Sequence, residues 1–269
     1  PAPLCPSMAA PWVRQGFDMM PTPILSIANL SKHFGGIHAL NGIDLHITEG
    51  EILGLIGPNG AGKTALINTI TGFYRADSGQ MDFMGHDLVG RSLHDIGRLG
   101  IGRTFQNIRL FKRMSVLENV MVANKTYAAH PWSAFWGFGQ RRKAVDEAMH
   151  WLQTMHLSHQ ADVSAQSLSY GDARRLEIAR ALAGYPSLLL LDEPAAGMNE
   201  GETEALIQDI HTARSQVKAM LRIEHDMGLI RSLSDRVVAM DYGRKIAEGS
   251  ASHVLAHPEV KKAYLGEDE

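Results

Sequence analysis

Residues Gly57 to Thr64 read GPNGAGKT, the spacing G-x-x-x-x-G-K-[ST]. Glycines at those intervals let the backbone curl until successive N–H groups point at one place, and a helix starting there adds the positive end of its dipole. A chain of phosphates fits such a place. Gly57, Asn59, Gly60 and Gly62 shape the turn, Lys63 is expected to reach the β- and γ-phosphates of ATP, and the Thr64 hydroxyl to ligate Mg²⁺. Ala65 completes the loop's share of the predicted nucleotide-binding set.

A second group of residues could act on the bound phosphates. The stretch SLLLLDEPAAG is an apolar strand ending in adjacent carboxylates. Asp192 at a sheet edge can hold Mg²⁺ through water, and Glu193, one residue on, is the candidate general base for an attacking water. Two polar residues are candidate sensors of the γ-phosphate. Gln106, in RTFQNIRLF, offers an oxygen to Mg²⁺ and an amide to the water; His225, after KAMLRI, can bond the γ-phosphate and orient the water. The predicted catalytic residues are therefore Glu193, His225 and Gln106, and the predicted metal set is Thr64, Gln106 and Asp192. Phe34, in SKHFGG, offers a ring either to an adenine or to the core.

The elements that must position these groups follow from hydrophobic period. ILSIANL and GIDLHI alternate as half-buried strands, EILGLIG is a buried strand, and KTALINTITG is a short helix closed by Gly72. Gln80 to Phe83 is a further strand. The character turns helical between about 93 and 170, notably over Ser115 to Tyr127 and Arg141 to Met155, which implies an inserted helical subdomain. A helix from Gly171 to Ala183, the strand LLLLD, a helix near Glu202 to Arg214, and the strands KAMLRI and RVVAM complete the pattern. Strands separated by helices imply an α/β core with a largely parallel sheet.

Composition narrows the class. The chain has 269 residues, 45% hydrophobic and 20% charged, with net charge -3 and no long block of like charge. Nucleic acid is not an expected partner. The single cysteine, Cys5, forms no internal disulfide, and no apolar run approaches the about 18 residues that span a bilayer. Residues 1–23 are proline-rich and aperiodic, and are expected to be a disordered N-terminal extension.

In order, GPNGAGKT, RTFQ, LSYGD, LLLLDEP, AAGMN and EHD resemble the ATPase subunit of ABC transporters over residues 24–254. The resemblance implies a P-loop NTPase (RecA-like) core with a parallel-rich sheet, an antiparallel β-subdomain and the inserted helical subdomain. It also implies a role for LSYGD. In that family Ser169 and Gly171 would face the nucleotide of a second cassette, so the working unit would be a head-to-tail dimer of homologous or identical ATPases. RTFQNIRLFKRMSVLENVMVA and HPEVKKAYLG further resemble the LivG-type ATPases of branched-chain amino-acid uptake, whose tail helix would occupy residues 255–269. By that likeness the chain is a peripheral protein at the cytoplasmic face of the plasma membrane, under two permeases and served indirectly by a solute-binding protein. Urea uptake and lipopolysaccharide export have ATPases of similar design and stand as alternatives.

Two residues depart from the family pattern. Ala65 replaces a frequent hydroxyl residue, and losing one hydrogen bond to a charged group costs about 1.5–3 kcal/mol if nothing replaces it. Asp172 stands where many relatives carry glutamine. Against a partner's phosphate at ~8 Å and an effective dielectric near 20, its charge costs about 2 kcal/mol before screening. Together they imply a cassette that binds ATP but closes weakly, with a catalytically impaired subunit as the alternative. The aromatics Trp132, Phe135, Trp136 and Phe138 are read either as packing of the insert or as an apolar patch for a membrane subunit.

Overall fold

The computed structural model describes residues 23–124 and 138–265. The N-terminal extension up to residue 22, the aromatics Trp132, Phe135 and Trp136, and residues 266–269 lie outside them. Phe138 begins a helix.

Alternation in the first described stretch gives two long antiparallel strands, β1 (Pro23–Phe34) and β2 (Ile37–Thr48). Leu25, Ile27, Leu40, Ile43, Leu45 and Ile47 turn into the core. β3 (Ile52–Ile56) is buried at every position and runs towards α1 (Lys63–Ile70). Then come β4 (Ser78–Phe83), β5 (His86–Asp87), α2 (Leu93–Leu99) and β6 (Ile101–Arg103). The helical region holds α3 (Val116–Met121), α4 (Phe138–Thr154) and α5 (Tyr170–Leu182). The core resumes with β7 (Leu188–Asp192), α6 (Glu200–Arg214), β8 (Ala219–Ile223), α7 (Met227–Leu233), β9 (Arg236–Asp241) and β10 (Arg244–Gly249). α8 (Ala251–Ala256) and α9 (Pro258–Leu265) follow.

The strands form a four-stranded antiparallel sheet, β2-β1-β4-β5, and a six-stranded sheet, β10-β9-β3-β8-β7-β6. In the larger sheet β9, β3, β8, β7 and β6 run parallel and β10 antiparallel. The expected α/β architecture, with a parallel-rich sheet and a separate antiparallel one, is therefore present. Period 2 divides the central strands between two cores: Leu188 and Leu190 pack on one face of the sheet, Leu189 and Leu191 on the other. Strands covered on both faces read as continuous apolar runs, and LLLLD is one.

β6 departs from the expectation that residues from about 93 belong to the helical insert. It pairs in parallel with β7, so Ile101–Arg103 belong to the core sheet. Only Ile101 of its residues is fully buried, which leaves no period to read. The consequence is functional: the chain leaves β6 directly into Thr104, Phe105 and Gln106. The carboxyl ends of β3, β6, β7 and β8 thus open onto one crevice, where ligands of open α/β sheets bind.

One buried ion pair fastens the helical region to that crevice. Arg174 and Glu177, one turn apart on α5, have side chains 0% and 1% exposed and meet at 2.7 Å. Arg174 also donates to the carbonyls of Phe105 at 2.7 Å and Gln106 at 2.9 Å, and Glu177 accepts from the Phe105 N–H at 3.2 Å. Removing one partner strands the other charge in the interior. Glu177→Ala is therefore expected to lower unfolding free energy by about 3 kcal/mol in a urea titration; a change of under about 1 kcal/mol would mean that water replaces the carboxylate.

Candidate functional site

The phosphate loop is built from forced glycines and unclaimed donors. A Cβ at Gly57 would lie 2.2 Å from the Met240 carbonyl oxygen, and one at Gly62 would lie 2.4 Å from that of Ala39. At Gly60 space is open, but φ is +85°, a left-handed backbone that side chains disfavour. Among the described residues no hydrogen bond holds the N–H groups of Asn59, Gly60, Gly62, Lys63 or Thr64. Helices α2, α3, α5, α6, α7 and α8 each begin with a Ser, Asn or Asp side chain bonded to the first turn. α1 begins at Gly62, with no such cap. Donors left open at a helix N-terminus are what a polyphosphate needs. Lys63, buried, donates to the carbonyls of Gly57 at 2.6 Å and Pro58 at 2.9 Å. Burial pushes its ammonium pKa down, while Glu193 and Asp192 oppose the shift.

The loop from Asn59 onward lines a cleft of about 570 Å³ with Ile37, His38, Ala39, Tyr242, Gln106 and Glu193, whereas Gly57 does not line it. Asn59, Gly60, Gly62, Lys63, Thr64 and Ala65 all face it. Phe34 does not line it. Its ring is 43% exposed, lies edge-on to Tyr74 at 4.9 Å, and has Lys32 over its face at 5.2 Å.

The residues expected to do chemistry meet at Glu193. Its Oε1 lies 2.6 Å from His225 Nε2, and its Oε2 accepts from Gln106 Nε2 at 2.7 Å. Two segments far apart in sequence converge on this carboxylate. Its backbone is held at φ +47°, uncommon for a residue with a side chain, by donation of its N–H to the Ile223 carbonyl at 3.1 Å. Gln106, its amide nitrogen engaged, and Thr64 line the same cleft. Asp192 sits deeper, 3% exposed. Burial pushes its pKa up, against the pull of Arg103.

Arg103 is a site residue that sequence reasoning passed over, although RTFQ includes it. Its guanidinium binds Asp192 at 2.9 Å and Asn68 of α1 at 2.6 Å, and lies over the Phe105 ring, with Arg109 also over that ring. It joins the strand carrying Asp192 to the helix that follows the phosphate loop. Glu224, next to His225, was also missed. It is 4% exposed, accepts a backbone bond from Ala195, and has an oxygen with no partner among the described residues. Burial pushes its pKa up to about 7, against Arg222 and with the help of Glu193 and Asp226.

Ser169 and Gly171 line a different cleft, of about 330 Å³, between the start of α5 and the start of α6. The two clefts share no residue. Ser169 Oγ accepts from the Asp172 N–H at 3.1 Å and so caps α5, and its hydroxyl also helps to hold the Asp172 pKa down. Asp172 is not a free charge: Arg175 binds it at 3.2 Å and Gln160 donates to it at 3.2 Å, and these bonds hold its pKa down against burial.

A family described as ABC transporter matches residues 40–196, and one described as branched-chain amino acid ATP-binding cassette transporter matches residues 244–269. The chain is 42% identical over 254 residues, 92% of itself and 100% of the relative, to the high-affinity branched-chain amino acid transport ATP-binding protein BraF of Pseudomonas aeruginosa. It is 41% identical, with the same coverage, to the corresponding protein LivG of Escherichia coli. Among solved structures, an ATP-binding cassette of an ABC transporter in its ADP conformation superposes with a TM-score of 0.81 at 33% identity, over 91% of this chain and 100% of that one. A nucleotide-free cassette superposes at 0.80 and 32% identity, with the same coverage.

The buried Glu224 carboxyl gives a pH signature. Folded, it keeps its proton up to about pH 7, whereas the unfolded chain loses it near the ordinary glutamate value of 4.5, so its contribution to stability falls as pH rises between the two. Glu224→Gln should flatten that fall and raise the melting temperature at pH 8 relative to pH 5. Parallel pH profiles of the two proteins would show that Glu224 ionises normally in the fold.

Proposed function

The chain belongs to the ABC transporter family, in its branch of branched-chain amino acid ATP-binding cassettes, and from that premise we propose how it works. It is the ATP-hydrolysing subunit of an importer for branched-chain or other hydrophobic amino acids. The observation that carries this reading is the meeting of Gln106 and His225 on Glu193, at the cleft that Lys63 and the phosphate loop line.

In the proposed reaction the loop N–H groups and Lys63 hold the phosphates of ATP. Glu193 takes a proton from water as the water oxygen bonds to the γ-phosphorus; the bond from that phosphorus to the β–γ bridging oxygen breaks, leaving ADP and phosphate. His225 and Gln106 hold the carboxylate towards the water. Thr64, Gln106 and, through water, Asp192 would hold Mg²⁺, which neutralises charge on the phosphate oxygens when bound. Among the described residues no group of three carboxylate, histidine or cysteine side chains could hold a metal alone, which fits a cation that arrives with its nucleotide.

Ser169 and Gly171 open on a separate cleft, and this supports a head-to-tail dimer in which each chain's α5 closes over the other's ATP. Two integral membrane permeases and, through them, a solute-binding protein complete the assembly, with this subunit on the cytoplasmic face of the membrane. Among the described residues no helix is long and apolar enough to cross a bilayer.

Glu193→Gln should retain MgATP binding and lose at least about 100-fold in hydrolysis, while the wild-type rate rises with the square of chain concentration. With its permeases and binding protein in vesicles, hydrolysis should respond to leucine, isoleucine or valine and not to urea. Unimpaired hydrolysis by Glu193→Gln, or a response to urea alone, would overturn the reading. Because Arg175 shares the charge of Asp172, Asp172→Gln should raise the ATPase rate by no more than about threefold, under 1 kcal/mol of barrier; a tenfold gain would show the carboxylate facing the second nucleotide unscreened.

A further inference from the structure

The entrance to the phosphate loop is held from outside, by the far end of the chain. Tyr264, on α9, places its hydroxyl oxygen 2.8 Å from the backbone N–H of Gly57, 207 positions away in sequence. It is the bond that claims the first N–H of the loop. The tyrosine is itself anchored: with Ile246, Ala247, Ala251 and Leu255 it packs on a core of Ile56, Ile230, Val237, Ala239, Val254 and Val260. Ile56 is the residue before Gly57. The tail thus docks on the end of β3 and reaches one peptide further.

We propose that Tyr264 is a positioning residue for nucleotide binding, and that α9 thereby sets the affinity of the phosphate loop for ATP. Gly57 has no side chain to restrict it, and its φ of +151° is chosen among many by what surrounds it. On one side the Met240 carbonyl closes the space that a Cβ would need. On the other, the phenol takes the N–H. The next carbonyl, that of Gly57 itself, receives the Lys63 ammonium at 2.6 Å. A hydrogen bond at Gly57 is therefore transmitted through a single residue to the side chain expected to reach the β- and γ-phosphates. A loop held in place before binding has less freedom to lose on binding. The segment that carries Tyr264 lies in the part of the chain, residues 244–269, that matches the branched-chain amino acid cassettes. The tail is then part of the nucleotide site, and lifting it would weaken ATP binding without removing any group that touches phosphate.

The inference rests on the phosphate-loop reading of Gly57 to Thr64, and the test separates the two. Tyr264→Phe keeps the ring and removes only the acceptor. With the intact chain in the Glu193→Gln background, where ATP persists, its Kd for MgATP should rise about three- to tenfold. With Glu193 present, KM for ATP should rise by the same factor while kcat holds within about twofold, as expected for a loss of ground-state binding. The melting temperature of the nucleotide-free protein should change by no more than about 2 °C, since the apolar packing remains. A Kd within about twofold of the parent overturns the proposal, and so does a rise that appears only together with a fall in the nucleotide-free melting temperature. Lys63→Ala is the control: if it binds MgATP as tightly as its parent, the phosphate-loop reading fails and this proposal falls with it.

Discussion

A loop that grips phosphate with backbone N–H groups must be rigid without spending those groups on its own folding. The starts of α2, α6 and α7 are fixed by the kind of donor that the loop keeps open, bonded there to Ser, Asn and Asp caps. The loop is instead fixed by its backbone neighbours. The carbonyls of Met240 and Ala39 press against Gly57 and Gly62 so closely that any side chain would collide. β3, which delivers the loop, is flanked on both sides by parallel strands and buried at every residue. Rigidity comes from the sheet and, at Gly57, from the Tyr264 hydroxyl, and the N–H groups of Asn59, Gly60, Gly62, Lys63 and Thr64 stay free for an anion.

The charges follow from the same crowding. Lys63, Arg103, Asp192 and Glu193 occupy one region in which each alone would be strongly disfavoured by desolvation. Two cations stand against two carboxylates. Arg103 answers Asp192 directly, at 2.9 Å, so Asp192 is held at the end of β7 without Lys63, whose ammonium rests on carbonyl oxygens. Glu193 differs. Its partners are a half-exposed histidine and an exposed glutamine, groups free to rearrange around a water molecule.

What could be read from sequence was the chemistry carried by contiguous residues. GPNGAGKT and LLLLDEP state their local structure in their own spacing, so the loop leading into α1 and the buried strand ending at Asp192 were legible before any contact was known, and alternation marked β1 and β2 as half-buried strands, whereas their antiparallel pairing came from the family resemblance. Residues whose meaning depends on a distant partner were not legible. Arg103 looks like one arginine among many until β6 is seen beside β7. Tyr264 looks like a tail residue until its hydroxyl is found at Gly57. Asp172 misled in the opposite direction: a charge counted as free in sequence is bound by Arg175, three positions on along the same helix, a spacing that sequence does contain. Phe34 illustrates the remaining limit, because which ring faces a base is decided by the side-chain packing around Tyr74 and Lys32.

The strength of these contacts decides how the two ends of the chain's chemistry can move. α5 carries Ser169 and Gly171, and its buried Arg174 grips the carbonyls of Phe105 and Gln106. Charge-assisted bonds in a dry interior are each worth more than a bond at the surface, and breaking this pair would leave a bare charge at a cost of about 3–5 kcal/mol. The bond from Gln106 to Glu193 is exposed and worth about 1 kcal/mol. Any displacement of the helical region therefore carries the Phe105–Gln106 backbone along, and the contact that yields first is the one at Glu193. Glu193 is thus sensitive to the position of a helix whose own serine lines a separate cleft, and the buried Arg174 guanidinium joins that helix to the backbone beside Glu193's partner Gln106.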